Sequence, residues 1–366
     1  MAGPEDGVST VLIGRDLRRG RTVAAPDRPV IVMRDDTPYV VAELAARLSG
    51  HVAGGRPGLV GALSAAYRCF QRDVRRAVRD CAAEEERPDL HLIDGTAIGE
   101  AIRARLGATA AVSLDPLVRG IPALGISRGF DLGGRTSRGL VARPGHPSVP
   151  SQVERLSRAL AGRTCVLVED DIHSGGTIER VLEILAAAGV RVARVVTGIA
   201  AGPVVLGSLS VPVEPVLRYE GTTGRLDIAD PRNFLLGVSG LVVRLPAGGW
   251  GRAPYWLPFV TTSARLPVDP LRDNMFARML MQANARFYER VEQHTRCLVR
   301  VGDLHPSVRM LLTATGTAAA ETPVRQVLHA LADGLDRCVR PGRVRDDGVR
   351  PGSAPAGRTS MAASTC

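Results

Sequence analysis

Residues 165–177 read Cys165-Val166-Leu167-Val168-Glu169-Asp170-Asp171-Ile172-His173-Ser174-Gly175-Gly176-Thr177, and the fold is decided there. The opening residues are apolar without alternation, as expected of a strand buried on both faces of a parallel sheet. Acidic residues stand at its carboxyl end and a small-residue turn follows. Ile178–Ala188 then carries apolar residues at 178, 181, 182, 184, 185 and 188 and is closed by Gly189, which predicts a helix. Val190–Ile199 is the next strand, so the stretch is a βαβ unit. Ligands of open α/β sheets bind at the carboxyl edge of such strands. The free N–H groups of the turn and the helix N-terminus make an anion site, to which Ser174 and Thr177 can add hydroxyls. The helix dipole supplies only about 0.3–1 kcal/mol to a phosphate, so N–H contacts must carry most of the affinity. Carboxylates beside such a site must face something else, and ribose hydroxyls and Mg2+ suit them.

This stretch resembles the motif of the type I phosphoribosyltransferases, which binds 5-phosphoribosyl-1-pyrophosphate (PRPP). The resemblance implies an α/β fold, a parallel sheet flanked by helices, with a hood and here a C-terminal helical extension. It implies that Glu169 and Asp170 engage the ribose 2′- and 3′-hydroxyls and serve as Mg2+ contacts. His173, Ser174, Gly175, Gly176 and Thr177 match the 5′-phosphate loop. The register is closest to the 6-oxopurine branch, whose motif begins Glu-Asp and often has an aspartate near N7 of the purine where His173 stands. A register pairing Asp170 with Asp171 shortens the loop by one residue. The implied reaction is displacement at C1 of PRPP by a base nitrogen with loss of pyrophosphate. His173 is the candidate general base; otherwise it is a loop residue whose backbone meets phosphate.

Upstream, Leu90–Ile93, Asp94-Gly95-Thr96 and Ala97–Leu106 have the strand–loop–helix layout of the family's pyrophosphate loop. The Lys or Arg usual there is replaced by Asp94. Asp94, Gly95 and Thr96 are therefore candidate backbone contacts to pyrophosphate, or Asp94 a Mg2+ ligand; the plain alternative is a turn. Gly125–Pro150, dense in Gly, Arg, Ser and Pro, reads as a loop ordered on binding and matches the family's flexible loop. Of its Arg128, Arg135, Arg138 and Arg143, the first two are the preferred contacts to the leaving group. Ser151 with Glu154 reads as a capping box for the helix Ser151–Ala161.

Composition narrows the chemistry. The 366 residues contain no lysine, so all 47 basic residues are arginine against 37 acidic ones, a net charge of +10. A P-loop lysine, a Schiff-base lysine and a Ser-Lys dyad are excluded. The arginines are scattered and not interleaved with aromatics, which argues against nucleic acid. Six widely spaced cysteines, no CxxC pair and no apolar leader or membrane span point to a cytoplasmic protein with reduced thiols. A homodimer is expected.

The chain divides on this reading into an N-terminal extension (1–28), a phosphoribosyltransferase-like core (29–215), a hood and C-terminal extension (216–340) and a disordered tail (341–366). Aromatics make up only 4% of the chain, yet Trp250, Tyr255, Trp256 and Phe259 cluster within Asp227–Val260. They form either a stacking surface for a planar base or a seal against the C-terminal helices. The leading functional reading is a Mg2+-dependent transferase acting on PRPP and a nitrogenous base, purine-like or a modified heterocycle, in nucleotide metabolism. The other is a PRPP-sensing regulatory or RNA-binding protein on the same fold. PRPP synthesis is disfavoured, because no second similar domain is present.

Overall fold

The computed structural model describes residues 10–13, 17–24, 28–51, 55–83, 87–115, 118, 120–201, 209–220 and 226–338. The tail read as disordered and most of residues 1–28 lie outside these. In chain order the larger elements are β1 (Thr10–Ile13), β2 (Arg21–Val23), β3 (Val30–Asp35), α1 (Thr37–Leu48), α2 (Gly55–Cys81), β4 (Asp89–Asp94), α3 (Gly95–Leu106) and β5 (Ala111–Ser113). Then follow β6 (Ile126–Phe130), β7 (Ser137–Ala142), α4 (Val149–Leu160), β8 (Cys165–Ile172), α5 (Gly176–Ala187), β9 (Val192–Ala201), β10 (Val213–Tyr219) and β11 (Leu226–Ile228). The C-terminal part holds β12 (Leu241–Arg244), β13 (Trp250–Ala253), α6 (Asp273–Thr295), α7 (Pro306–Ala314) and α8 (Val324–Cys338).

Three sheets result. One is parallel in the order β2-β10-β9-β8-β5, a second is parallel in the order β1-β4-β3-β11, and the third is mixed, β13-β12-β6-β7. The β8 strand earns its central place: Val166, Leu167 and Val168 are wholly buried, with Val166 and Val168 packing on one side and Leu167 on the other. Helix α3 lies between the parallel sheets, and Ile98, Ala101 and Ile102 join Val30 and Val32 of one to Val166 and Val196 of the other. Both parallel sheets thus end their strands toward one polar junction, which the mixed sheet covers. The fold is α/β, with parallel sheets flanked by helices, as expected, although the parallel strands form two sheets where one was expected.

Two local expectations are corrected. Gly125–Pro150 is not an irregular loop. Ile126, Ser127 and Arg128 pair with Ala142, Val141 and Leu140 in an antiparallel hairpin, with a register shift before Phe130. Its Gly and Arg content hides the period-2 pattern that identifies a strand. The following helix begins at Val149, with Ser148 rather than Ser151 as its cap. Pro150 explains this, since proline fits the first helical turn, where its missing N–H costs nothing.

Helices α2 and α6 pack together over a cluster that contains Tyr67, Phe70, Phe234, Trp256, Phe259 and Phe287. Trp256 is fully buried and donates its indole N–H to the Phe234 carbonyl at 2.9 Å. Trp256 and Phe259 therefore seal the core against the C-terminal helices. Tyr255 alone of the four clustered aromatics lines the cleft described next. Among the described residues, no helix is long and apolar enough to cross a membrane.

Candidate active site

A cleft of about 280 Å³ opens where β8 ends, between the first parallel sheet and the mixed sheet. Glu169, Asp170, Asp171, His173, Ser174, Gly175 and Thr177 line one wall. The turn is made by Gly175, which caps α5 in the left-handed region at φ 77°. No side chain caps that helix, so its first-turn N–H groups lack intrahelical acceptors and remain available to an anion. His173 is exposed, and its Nε2 lies 2.9 Å from the Leu226 carbonyl. A carbonyl only accepts, so Nε2 carries the hydrogen, and in the neutral ring the lone pair is on Nδ1.

Behind the motif stands a buried ion network. Arg34, 2% exposed at the end of β3, donates from Nη2 to Asp170 at 2.7 Å and to Asp171 at 3.2 Å. It also donates to Asp230, from Nε at 2.9 Å and from Nη2. Arg232 donates to Asp115 at 3.0 Å and to Asp170 at 3.1 Å, and its guanidinium lies 5.2 Å from the Tyr39 ring centroid. Asp36 accepts from the Tyr67 hydroxyl at 2.6 Å and from the Arg232 backbone N–H at 3.0 Å, which fixes the turn carrying Asp230 and Arg232. The backbone is fixed too. A Cβ on Gly198 of β9 would stand 2.7 Å from the Asp170 carbonyl oxygen, so only glycine lets the strands approach this closely.

The electrostatics follow from this geometry. Burial opposes ionisation of Asp170, but Arg34 and Arg232 overrule it and hold the carboxyl far below the usual range. Burial, then the neighbouring Asp170 charge, pushes Glu169 well above the usual range and Asp171 up to about 8. Burial and Asp230 raise Asp36 to about 7. A carboxyl raised in the folded state binds a proton that the unfolded chain has already lost, so its contribution to stability falls as pH rises toward the folded value. Asp171→Asn is accordingly expected to flatten the fall in melting temperature between about pH 4 and about pH 8. A melting-temperature profile as steep as the parent's would contradict that environment.

Asp94 is placed elsewhere. Its carboxylate accepts from the Thr96 and Ala97 N–H groups at 2.8 and 3.2 Å and so caps α3. The N–H groups that would hold a phosphate are taken by the chain's own carboxylate. Asp94 lines a second cavity with Asp35, Gln71 and Arg75. The strand beside β8 is instead β5, and the residues that follow it into the cleft are Leu114 and Asp115. Asp94→Ala is expected to cost about 0.5–2 kcal/mol through the lost cap while leaving PRPP affinity unchanged, which parallel urea melts and titration calorimetry would show.

Of the candidate arginines, Arg128 lines the cleft; Arg135 is exposed on the hairpin and does not line it. Arg143, Arg232, Arg252 and Arg265 line it as well. For a metal, no three His, Cys, Asp or Glu side chains among the described residues are arranged around one point. Mg2+ commonly binds through one or two carboxylates plus substrate phosphates and waters. Glu169 has that chemistry on the cleft wall. Asp170 is committed, since Oδ2 takes both guanidinium groups and Oδ1 takes the Asp171 N–H at 2.9 Å.

Sequence reasoning found the motif but not Arg34, Asp115, Asp230 or Arg232 as a cluster. One signal was there: Arg34 stands at the carboxyl end of an apolar strand, as Glu169 does.

Comparison with known families matches one segment of the chain. Residues 125–203, which span β6 to β9 and contain residues 165–177, match the phosphoribosyl transferase domain family. The match is to a phosphoribosyl transferase domain and is confined to that segment. A solved phosphoribosyltransferase from Corynebacterium diphtheriae is similar at 17% identity, over 41% of this chain and 95% of that one, with a TM-score of 0.24. No curated protein matches the chain.

Proposed function

We propose that the chain transfers the 5-phosphoribosyl group of PRPP to a ring nitrogen of a heterocyclic base and releases pyrophosphate. The observation that carries this is the uncapped N-terminus of α5, set by Gly175 beside the acidic end of β8. That pairing supplies an anion cradle next to acceptors for a diol. On this reading the 5′-phosphate sits at Ser174–Thr177, and the ribose hydroxyls meet Glu169 and the Asp170 edge.

The nitrogen forms its bond to C1 as the C1–oxygen bond breaks, and that electron pair leaves on pyrophosphate. The carbon passes through an oxocarbenium-like state, which the ionised Asp170 stabilises by charge, with Glu169 serving the ribose hydroxyls. His173 Nδ1 is the atom free to take the proton from the nitrogen. Arg143 and Arg232, whose charges act on Asp115, hold the leaving group in the place the sequence gave to Asp94. Mg2+ bound with PRPP would add charge neutralisation at the same oxygens, with Glu169 as its protein contact. Free thiols at Cys69, Cys81 and Cys165 fit a cytoplasmic setting.

The test is incubation with PRPP, Mg2+ and a panel of bases while pyrophosphate is measured. Release that depends on a base supports transfer. Tight PRPP binding with no release on any base would favour the regulatory reading.

A further inference from the structure

The cleft is asymmetric in charge. Its carboxylates lie on the β8 side and are held by Arg34 and Arg232. The mixed-sheet side carries Arg128 and Arg265, and among the described residues neither forms a salt bridge. Both stand over one ring: the guanidinium carbon of Arg265 is 3.9 Å from the Phe130 centroid and that of Arg128 is 5.9 Å. Arg265 is half-buried, and its Nε and Nη2 both donate to the Gly134 carbonyl, which fixes the guanidinium plane. Asp131, the nearby acid on the hairpin, accepts from the Thr136 N–H and pairs with neither arginine.

Two like charges gathered on one ring repel each other, and burial first and the Arg128 charge after it disfavour the charged form of Arg265. A cation over an aromatic face recovers only about 0.5–2 kcal/mol. An anion bridging the two guanidinium groups would remove the repulsion and gain charge-assisted hydrogen bonds. PRPP does not fill this role, because its phosphates have the α5 N-terminus at one end and Arg143 and Arg232 at the other. Tyr255 lies beside the pair, in the field of Arg265, Arg128 and Asp171, and offers a half-buried aromatic wall to the cleft.

We propose that the acceptor is a planar heterocycle bearing a carboxylate, its ring against Tyr255 and its carboxylate on Arg128 and Arg265. This rests on the phosphoribosyl transfer reading and narrows its substrate class, and it replaces the purine favoured by the Glu-Asp register. A neutral ring would leave the two arginines facing an empty position, so discrimination comes from the fold's own unpaired charge.

The test uses matched rings that differ in the carboxylate: orotate with uracil, and nicotinate with nicotinamide. Pyrophosphate release is followed with PRPP and Mg2+, and binding of each ring is measured by calorimetry with ribose 5-phosphate present. At least one carboxylated member should be preferred by about tenfold or more, the scale expected when a charge-assisted hydrogen bond is lost. Arg128→Gln, at an exposed position, should raise KM for that ring by about tenfold or more with KM for PRPP far less affected. Arg265→Lys, which keeps the charge and loses the fork, should do the same to a smaller degree. PRPP binding by a chain that ignores the carboxylate, or binds none of the four rings, would overturn the acceptor assignment and leave phosphoribosyl binding standing. No PRPP binding at all would sink both.

Discussion

Arg34→Gln is expected to lower the unfolding free energy by about 3–5 kcal/mol, the cost of removing one partner from a buried ion network. The residue is 2% exposed and answers three carboxylates, Asp170, Asp171 and Asp230. Glutamine leaves Asp230 with Arg232 alone and takes from Asp170 the closer of its two guanidinium partners. Urea titration should show a lower midpoint with an unchanged slope. The pH dependence gives a second check. Asp170 has its carboxyl depressed, so the stability it confers is present above the ordinary carboxylate range and is lost progressively as pH falls from there toward its far lower folded value. The deficit of the variant should therefore be full at neutral pH, begin to shrink below about pH 4 and close only far below that. An equal deficit at pH 3 and pH 7 would mean that Arg34 acts through packing alone.

Asp170→Asn is expected to weaken PRPP binding by more than about 100-fold, or about 2.7 kcal/mol. Asparagine keeps the shape but presents one acceptor in place of two, and it withdraws the charge that balances Arg34 and Arg232. The freed positive charge then sits where the ribose carbon must become cationic, so turnover should fall further than binding. Calorimetry with PRPP, beside a melt showing the variant folded at the working temperature, separates the two effects. Unchanged affinity would remove Asp170 from the site.

How much of this was legible follows from range along the chain. The β8 motif is local: strand, turn and helix occupy consecutive residues, each with its own pattern. The helix α5 was readable from the spacing of its apolar residues. The ion network was not, because Arg34 and Asp230 stand 196 positions apart and Arg34 and Asp170 stand 136 apart. Arginine is so common here that none of its positions stands out by type. Asp94 was misplaced for a related reason. β3 and β4 have the composition of strands beside β8, but they pair with each other and with β1 and β11. Strand composition reports burial and says nothing of which neighbour a strand takes. Trp256 and Phe259 look in sequence like a stacking surface, and only packing shows them closed inside the C-terminal cluster.

The shared network also sets an order of events during synthesis. β8 leaves the ribosome with its carboxylates in place, while Arg232 is still some sixty residues from being made. Until it arrives, Asp170 has at most Arg34 for company, and burying it is costly. The cleft should therefore close late, in one step, after residues 230–232 have joined the ends of two sheets. A fragment cut to residues 125–203 would carry the whole motif and none of its arginine partners at 34 and 232, and should stay open.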